Sequence, residues 1–220
     1  MVPLMARPSA DRAARAGGGY PLVLDGASIE ALIVGGGAVA ARKAEALLAA
    51  GARVRLVAPH LDDACGSLLA GHRERMSASL REYRPDDIGE ALLVIAATDD
   101  AEVNAAVARD ARERNRLANV ADAGASGNCI TPAAHHVGPL TIAVSAGGVP
   151  GAAARIRDAI AERFDSRYAD ALEQLGTLRD RMLQERGRQA WRDAAAALIG
   201  SDFCDSVERG TFRERVAQWR

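Results

Sequence analysis

An apolar run from Ala31 to Val34 leads straight into Gly35-Gly36-Gly37, and Ala40, Ala44, Leu47 and Leu48 then recur at helical spacing before Gly51. Strand, glycine turn and helix follow one another without a spacer, and no other stretch of the chain restricts its fold as strongly. A second strand at Arg53 to Val57, stopped by Pro59, completes a βαβ unit, which closes with parallel strands and a right-handed crossover. Parallel strands need cover on both faces, so the spacing predicts an α/β chain.

The alternation continues downstream. Leu61 to Ala70 reads as a helix, Ser79 to Tyr83 as an edge strand before Pro85, and Leu92 to Ala97 as a buried strand. Ala101 to Arg114 reads as a helix and Leu117 to Val120 as a fifth strand. After Pro132 the pattern changes: Leu140 to Ser145 is a strand, Ala146 to Gly151 a Gly/Pro turn, and Ala152 to Arg163 a helix. From Arg167 onward the chain is charged and helical, with Leu172, Leu175, Leu178 and Met182 as one stripe and Trp191, Phe203, Phe212 and Trp219 as later anchors. The expected layout is a flexible extension over residues 1–19, a Rossmann-type parallel sheet over 20–131, a separate unit over 132–165 and a small helical domain over 166–220.

Composition narrows the function classes. With 28 basic against 29 acidic residues the net charge is −1, so no global field draws the chain to nucleic acid or to an anionic membrane. No apolar run approaches the roughly 20 residues that cross a bilayer. Cys65, Cys129 and Cys204 are odd in number and far apart, which argues against a disulfide framework or a thiolate zinc site and favours a reducing cytoplasm.

Gly35-x-Gly37-x-x-Ala40 stands where a dinucleotide fingerprint belongs, after a strand and opening a helix. Gly35, Gly36 and Gly37 permit a tight turn, and the N–H groups of Ala38 and Val39 face a pyrophosphate with the positive end of the helix behind them. A purely structural glycine turn is the alternative. The acid that normally takes the adenosine ribose is missing, because the second strand ends Ala58-Pro59-His60. Packing and backbone at Ala58 to His60, including Pro59, are then expected to hold adenosine, His60 equally reads as a solvated loop histidine, and the choice between NAD and NADP is not legible there.

Thr98 and Asp99 lie at the carboxyl end of the fourth strand, the edge where open α/β sheets bind ligands, while Asp99 or Asp100 equally suits a helix cap. Asp122 follows the fifth strand at the same edge and is the best candidate base, since desolvation raises a carboxylate toward the range useful near neutral pH. Ser145-Ala146-Gly147-Gly148 is a second strand-to-helix turn with backbone amides on offer. No dedicated metal site is expected, because His135-His136 diverge and Cys129 belongs to no ligand spacing. Lys43 is the only lysine of the chain.

The ordered set Gly35 to Lys43, Gly51 to Val54, Ala58-Pro59, Ala97 to Asp100 with Asn104, Asn119 to Asp122, and Val144 to Gly148 resembles the precorrin-2 dehydrogenase and sirohydrochlorin ferrochelatase family, as a stand-alone module. The resemblance implies a homodimer, with 132–165 as the dimerisation region contributing to the active-site cleft. It implies that precorrin-2 loses a hydride to NAD and a proton to Asp122, giving sirohydrochlorin, into which some members then insert ferrous iron. It also turns Ser145, Gly147 and Gly148 into a substrate loop for a polycarboxylate tetrapyrrole. The loop departs from the family pattern at Ala146 and Val149-Pro150-Gly151, where further hydroxyl residues are usual, so chelation of ferrous or cobaltous ion is secondary to oxidation. The rival of another class is a non-catalytic NAD or tetrapyrrole sensor that keeps the fold.

Overall fold

Successive residues of a strand point to opposite faces, and from Ala31 to Val34 every one of them is apolar, so the strand is at home only between two covering layers. The computed structural model, which describes residues 19–121 and 127–219, places it there. The chain divides into two units, one ending at Thr131 and the other beginning at Pro132.

In the first unit β1 (Glu30–Val34), β2 (Arg53–Ala58), β3 (Met76–Leu80), β4 (Leu93–Ala96) and β5 (Leu117–Val120) form one parallel sheet in the order β3-β2-β1-β4-β5. β1 is central, with Ile33 opposite Leu56 on one side and Ile95 on the other. Helices α1 (Ala38–Ala49) and α2 (Asp63–Gly71) follow β1 and β2 in the chain, and α3 (Ala101–Glu113) follows β4. Ala40, Ala44 and Leu48 of α1 and Cys65 of α2 share a core with Ala31, Ile33, Leu56 and Ile95. On the opposite face Val107 and Ala111 of α3 pack with Leu32, Val34, Val57 and Val94. Alanine on the inner face of α1 lets that helix sit close over the sheet.

The edge strand differs from the expectation. It runs Met76–Leu80 rather than Ser79 to Tyr83, because Met76 is the buried apolar residue that pairs with Val54, while Tyr83 lies beyond the strand and donates to Asp110 Oδ2 at 3.1 Å. The opposite edge, β5, is partly covered by Asn128. Its N–H donates to Ala118 O at 2.9 Å, its Oδ1 accepts from Ala118 N at 2.7 Å and its Nδ2 donates to Arg116 O at 3.0 Å. One asparagine, through its backbone N–H and its side-chain amide, thus does what a further strand residue would do at an open edge.

The second unit opens with an antiparallel hairpin of β6 (Ala133–Val137) and β7 (Leu140–Val144), and β6 is a strand the sequence reading lacked. Five helices follow, α4 (Pro150–Arg163), α5 (Ser166–Glu185), α6 (Gly187–Leu198), α7 (Phe203–Glu208) and α8 (Phe212–Ala217). Leu175, Leu178 and Met182 form the buried stripe of α5, against Leu198, Val207, Phe212 and Val216. Phe203 meets Phe212 edge-on with ring centroids 5.2 Å apart. Tyr168 and Arg163 both donate to Glu208 Oε1 at 2.7 Å, fastening α7 to the start of α5 and the end of α4.

Candidate functional site

The three glycines after β1 are not equivalent. Gly35 has φ +131°, donates its N–H to Val57 O at 3.0 Å, and has no room for a side chain, since a Cβ would stand 2.2 Å from Ala97 O. At Gly36 a Cβ would stand 1.9 Å from His60 O. Gly37 is exposed, and a Cβ there would meet nothing within 4 Å among the described residues. Two glycines are therefore demanded by the protein's own backbone, and the third leaves an open approach to α1.

That approach is polar and uncapped. Gly37 is the N-cap of α1 and has no side chain to satisfy the first-turn N–H groups, and Ala38 and Val39 are exposed beside it. Amides without acceptors at a helix N-terminus, reached over a residue with no side chain, suit a pyrophosphate in both charge and shape. The residues present thus fit a dinucleotide.

On the β2 side of this turn Pro59 and His60 are exposed, and the His60 carbonyl closes over Gly36. The next carboxylate along, Asp62, is committed to capping α2, accepting from Cys65 N at 2.7 Å. Cys65 itself is buried, and burial with the neighbouring Asp62 pushes its thiol up to about 11, so it serves packing rather than nucleophilic chemistry.

On the β4 side Thr98 is held by Asn104, a buried residue of α3. Asn104 Nδ2 donates to Thr98 O at 2.8 Å, and Asn104 Oδ1 accepts from Thr98 N at 3.1 Å and from its hydroxyl at 2.8 Å. Asp100 caps α3, accepting from Glu102 N at 2.8 Å and Val103 N at 3.2 Å, whereas Asp99 is exposed. Both adjacent aspartates are exposed, and Asp100 is the one that caps α3.

Asp122 lies outside the described residues. Its neighbour Ala121 extends β5 by one more sheet bond, donating to Ala96 O at 2.9 Å. Further along the chain, Cys129 N donates to Ala118 O at 3.2 Å. Lys43 of α1 reaches this returning segment and donates to Thr131 Oγ1. Burial lowers the Lys43 ammonium, Arg42 lowers it further, and Cys129 opposes them; burial raises the Cys129 thiol against the pull of Lys43. Asn119, Asn104 and Thr131 are groups that sequence spacing alone did not connect.

Ser145, Gly147 and Gly148 belong to the second unit, in the turn between β7 and α4. Gly147 and Gly148 have φ +56° and +86°, both are exposed, and Val149 N closes the turn on Ala146 O at 2.9 Å. His135 bonds Phe164 O at 2.7 Å and His136 bonds Thr141 Oγ1 at 3.0 Å, so both histidines are engaged within their own unit.

Comparison with known proteins agrees with this geometry. Residues 22–133 match the family model described as putative NAD(P)-binding. The siroheme synthase of Methylobacillus flagellatus is 37% identical over 183 residues, covering 80% of this chain and 39% of that protein. The siroheme synthase of Pseudomonas aeruginosa is 38% identical over 191 residues, with 86% and 39% covered. The chain thus spans about two fifths of these curated relatives. Among solved structures, SirC, a precorrin-2 dehydrogenase, superposes with a TM-score of 0.73 at 23% identity, over 91% of this chain and 98% of that one.

Proposed function

The chain belongs to the putative NAD(P)-binding family and is a relative of the siroheme synthases, and from that premise we propose that it is an NAD-dependent dehydrogenase oxidising precorrin-2 to sirohydrochlorin. The observation that carries the cofactor half of this reading is the glycine turn, closed to any side chain at Gly35 and Gly36 and open at Gly37 above uncapped amides. The substrate half rests on the likeness to siroheme synthases.

Gly35, Gly36 and Gly37 shape the turn, and the amides of Ala38 and Val39 hold the pyrophosphate. Pro59 and His60 border the adenosine, with no carboxylate there to exclude a 2′-phosphate by charge. Thr98, fixed by Asn104, and Asp99 border the other half. Bound in this cleft, the oxidised nicotinamide supplies the acceptor for a hydride. Asp122, one residue beyond Ala121, is the base that takes the accompanying proton from the substrate carbon framework. Ser145, Gly147 and Gly148 bind substrate carboxylates through a hydroxyl and exposed amides. The functional form is a cytoplasmic homodimer, and insertion of ferrous or cobaltous ion into the product is a secondary activity.

Anaerobic incubation with precorrin-2 and NAD, followed by sirohydrochlorin absorbance, tests the proposal. NAD-dependent appearance of sirohydrochlorin supports it, and subsequent addition of ferrous or cobaltous ion reads the second activity. NAD binding without turnover overturns it in favour of a sensor.

A further inference from the structure

Asn119 carries an unexplained atom. The residue is 6% exposed, its Nδ2 donates to Cys129 O at 3.2 Å, and its Oδ1 is buried with no hydrogen-bond partner among the described residues. Exchanging the two amide atoms would set an oxygen against the Cys129 carbonyl, so the unpaired atom is an acceptor. Leaving such an acceptor bare is costly, and native proteins keep few of them.

Its surroundings say what it would receive. Ala118 and Val120 of β5 pack on the α3 side of the sheet, and alternation puts Asn119 on the α1 side with Leu117 and Cys129. Lys43 comes to the same segment from α1. Its ammonium has three donors and uses one on Thr131, and among the described residues the charges that bear on it are those of Arg42 and Cys129, neither of them a carboxylate. An acceptor without a donor and a cation with donors to spare thus both border the Cys129-Ile130-Thr131 segment that returns beside β5. A pyrophosphate at the N-terminus of α1 with adenosine toward β2 sends the opposite end of the dinucleotide to this side. A bare anion would satisfy Lys43 and aggravate Asn119. A primary carboxamide satisfies both.

We propose that Asn119 and Lys43 form a carboxamide subsite for the nicotinamide end of the dinucleotide, Asn119 Oδ1 accepting from the amide NH2 and Lys43 Nζ donating to the amide carbonyl. The inference rests on the dinucleotide reading above and adds to it the residues that recognise the reactive ring.

The test is binding rather than turnover. Dissociation constants of NAD and of 3-acetylpyridine adenine dinucleotide, which has a methyl where NAD has the amide nitrogen, are measured by titration calorimetry on the full chain and on Asn119→Ala and Lys43→Met. The full chain is expected to prefer NAD by about tenfold, the scale of one hydrogen bond to a buried group. Asn119→Ala abolishes that preference, and Lys43→Met weakens both ligands equally, since both keep the carbonyl. Equal affinity of the unaltered chain for the two ligands overturns the subsite while leaving the dinucleotide reading standing, and needs no variant to fold. A preference that survives in Asn119→Ala also overturns it and assigns the buried oxygen to a water. Failure of the unaltered chain to bind either ligand overturns the subsite and the dinucleotide reading together.

Discussion

Single residues separate folding from binding most sharply in the glycine turn. Gly36→Ala forces a methyl against the His60 carbonyl, where a Cβ would stand at 1.9 Å, so the loop after β2 must move. Both the thermal midpoint and NAD affinity should fall. Gly37→Ala meets no atom of the described residues within 4 Å, and the backbone there, φ −96° and ψ −174°, suits alanine. Its thermal midpoint should stay within a few degrees of the unaltered chain while NAD affinity drops at least tenfold, because the new methyl occupies the approach to the amides. Calorimetric melting with parallel titration distinguishes the two. Asp122→Asn is expected to keep the NAD dissociation constant within about twofold and to lower the oxidation rate about 10²- to 10⁴-fold, the usual contribution of a general base; an unchanged rate removes Asp122 from the chemistry.

At the scale of elements, helix ends and edge turns carry predictions of their own. Asp100 caps α3 through two backbone N–H groups, so Asp100→Ala should cost about 1 kcal/mol by denaturant titration. Asp87, between β3 and β4, is buried, and the Arg81 side chain with the Arg84 N–H holds its carboxyl below the usual carboxylate range. A folded-state value below the unfolded one stabilises above the unfolded value and is lost as the pH falls through the folded one. Urea titrations should therefore show the advantage of the unaltered chain over Asp87→Asn intact near pH 7 and shrinking as the pH drops below about 4. The elements most legible in the sequence were those with a buried apolar period, β1, α1, β2, β4 and α3. β6 was not legible, because Ala133-Ala134-His135-His136 has neither a strong strand preference nor clean alternation. β3 was displaced by three residues since Ser77, Ala78 and Ser79 look alike on either face of an edge strand. In the site, spacing revealed the glycine turn and the helix cap at Asp99-Asp100. The Asn104 clamp on Thr98, the edge cover by Asn128 and the bare oxygen of Asn119 depend on where side chains meet across the sheet, and no local period encodes that.

For the molecule as a whole, the β6–β7 hairpin is the feature with open edges. Helices α4 and α5 pack against both of its strands, yet each strand has an outer edge without a neighbouring strand among the described residues. Pairing with a second copy would close such an edge, and sedimentation equilibrium is expected to give twice the chain mass; a monomer at micromolar concentration would remove the proposed dimer. NAD at about a hundred times its dissociation constant should stabilise the unit carrying β1 to β5 by about 2.7 kcal/mol, by mass action alone, seen as a shift of its melting transition. The scarcity of lysine has a practical side as well. With Lys43 as the only one, half-buried and more easily deprotonated than an ordinary lysine, a mild acylating reagent has a single side-chain amine to find. The extent of that one modification, read as a mass increment with and without added ligands, turns an unaltered residue into a native reporter of cleft occupancy.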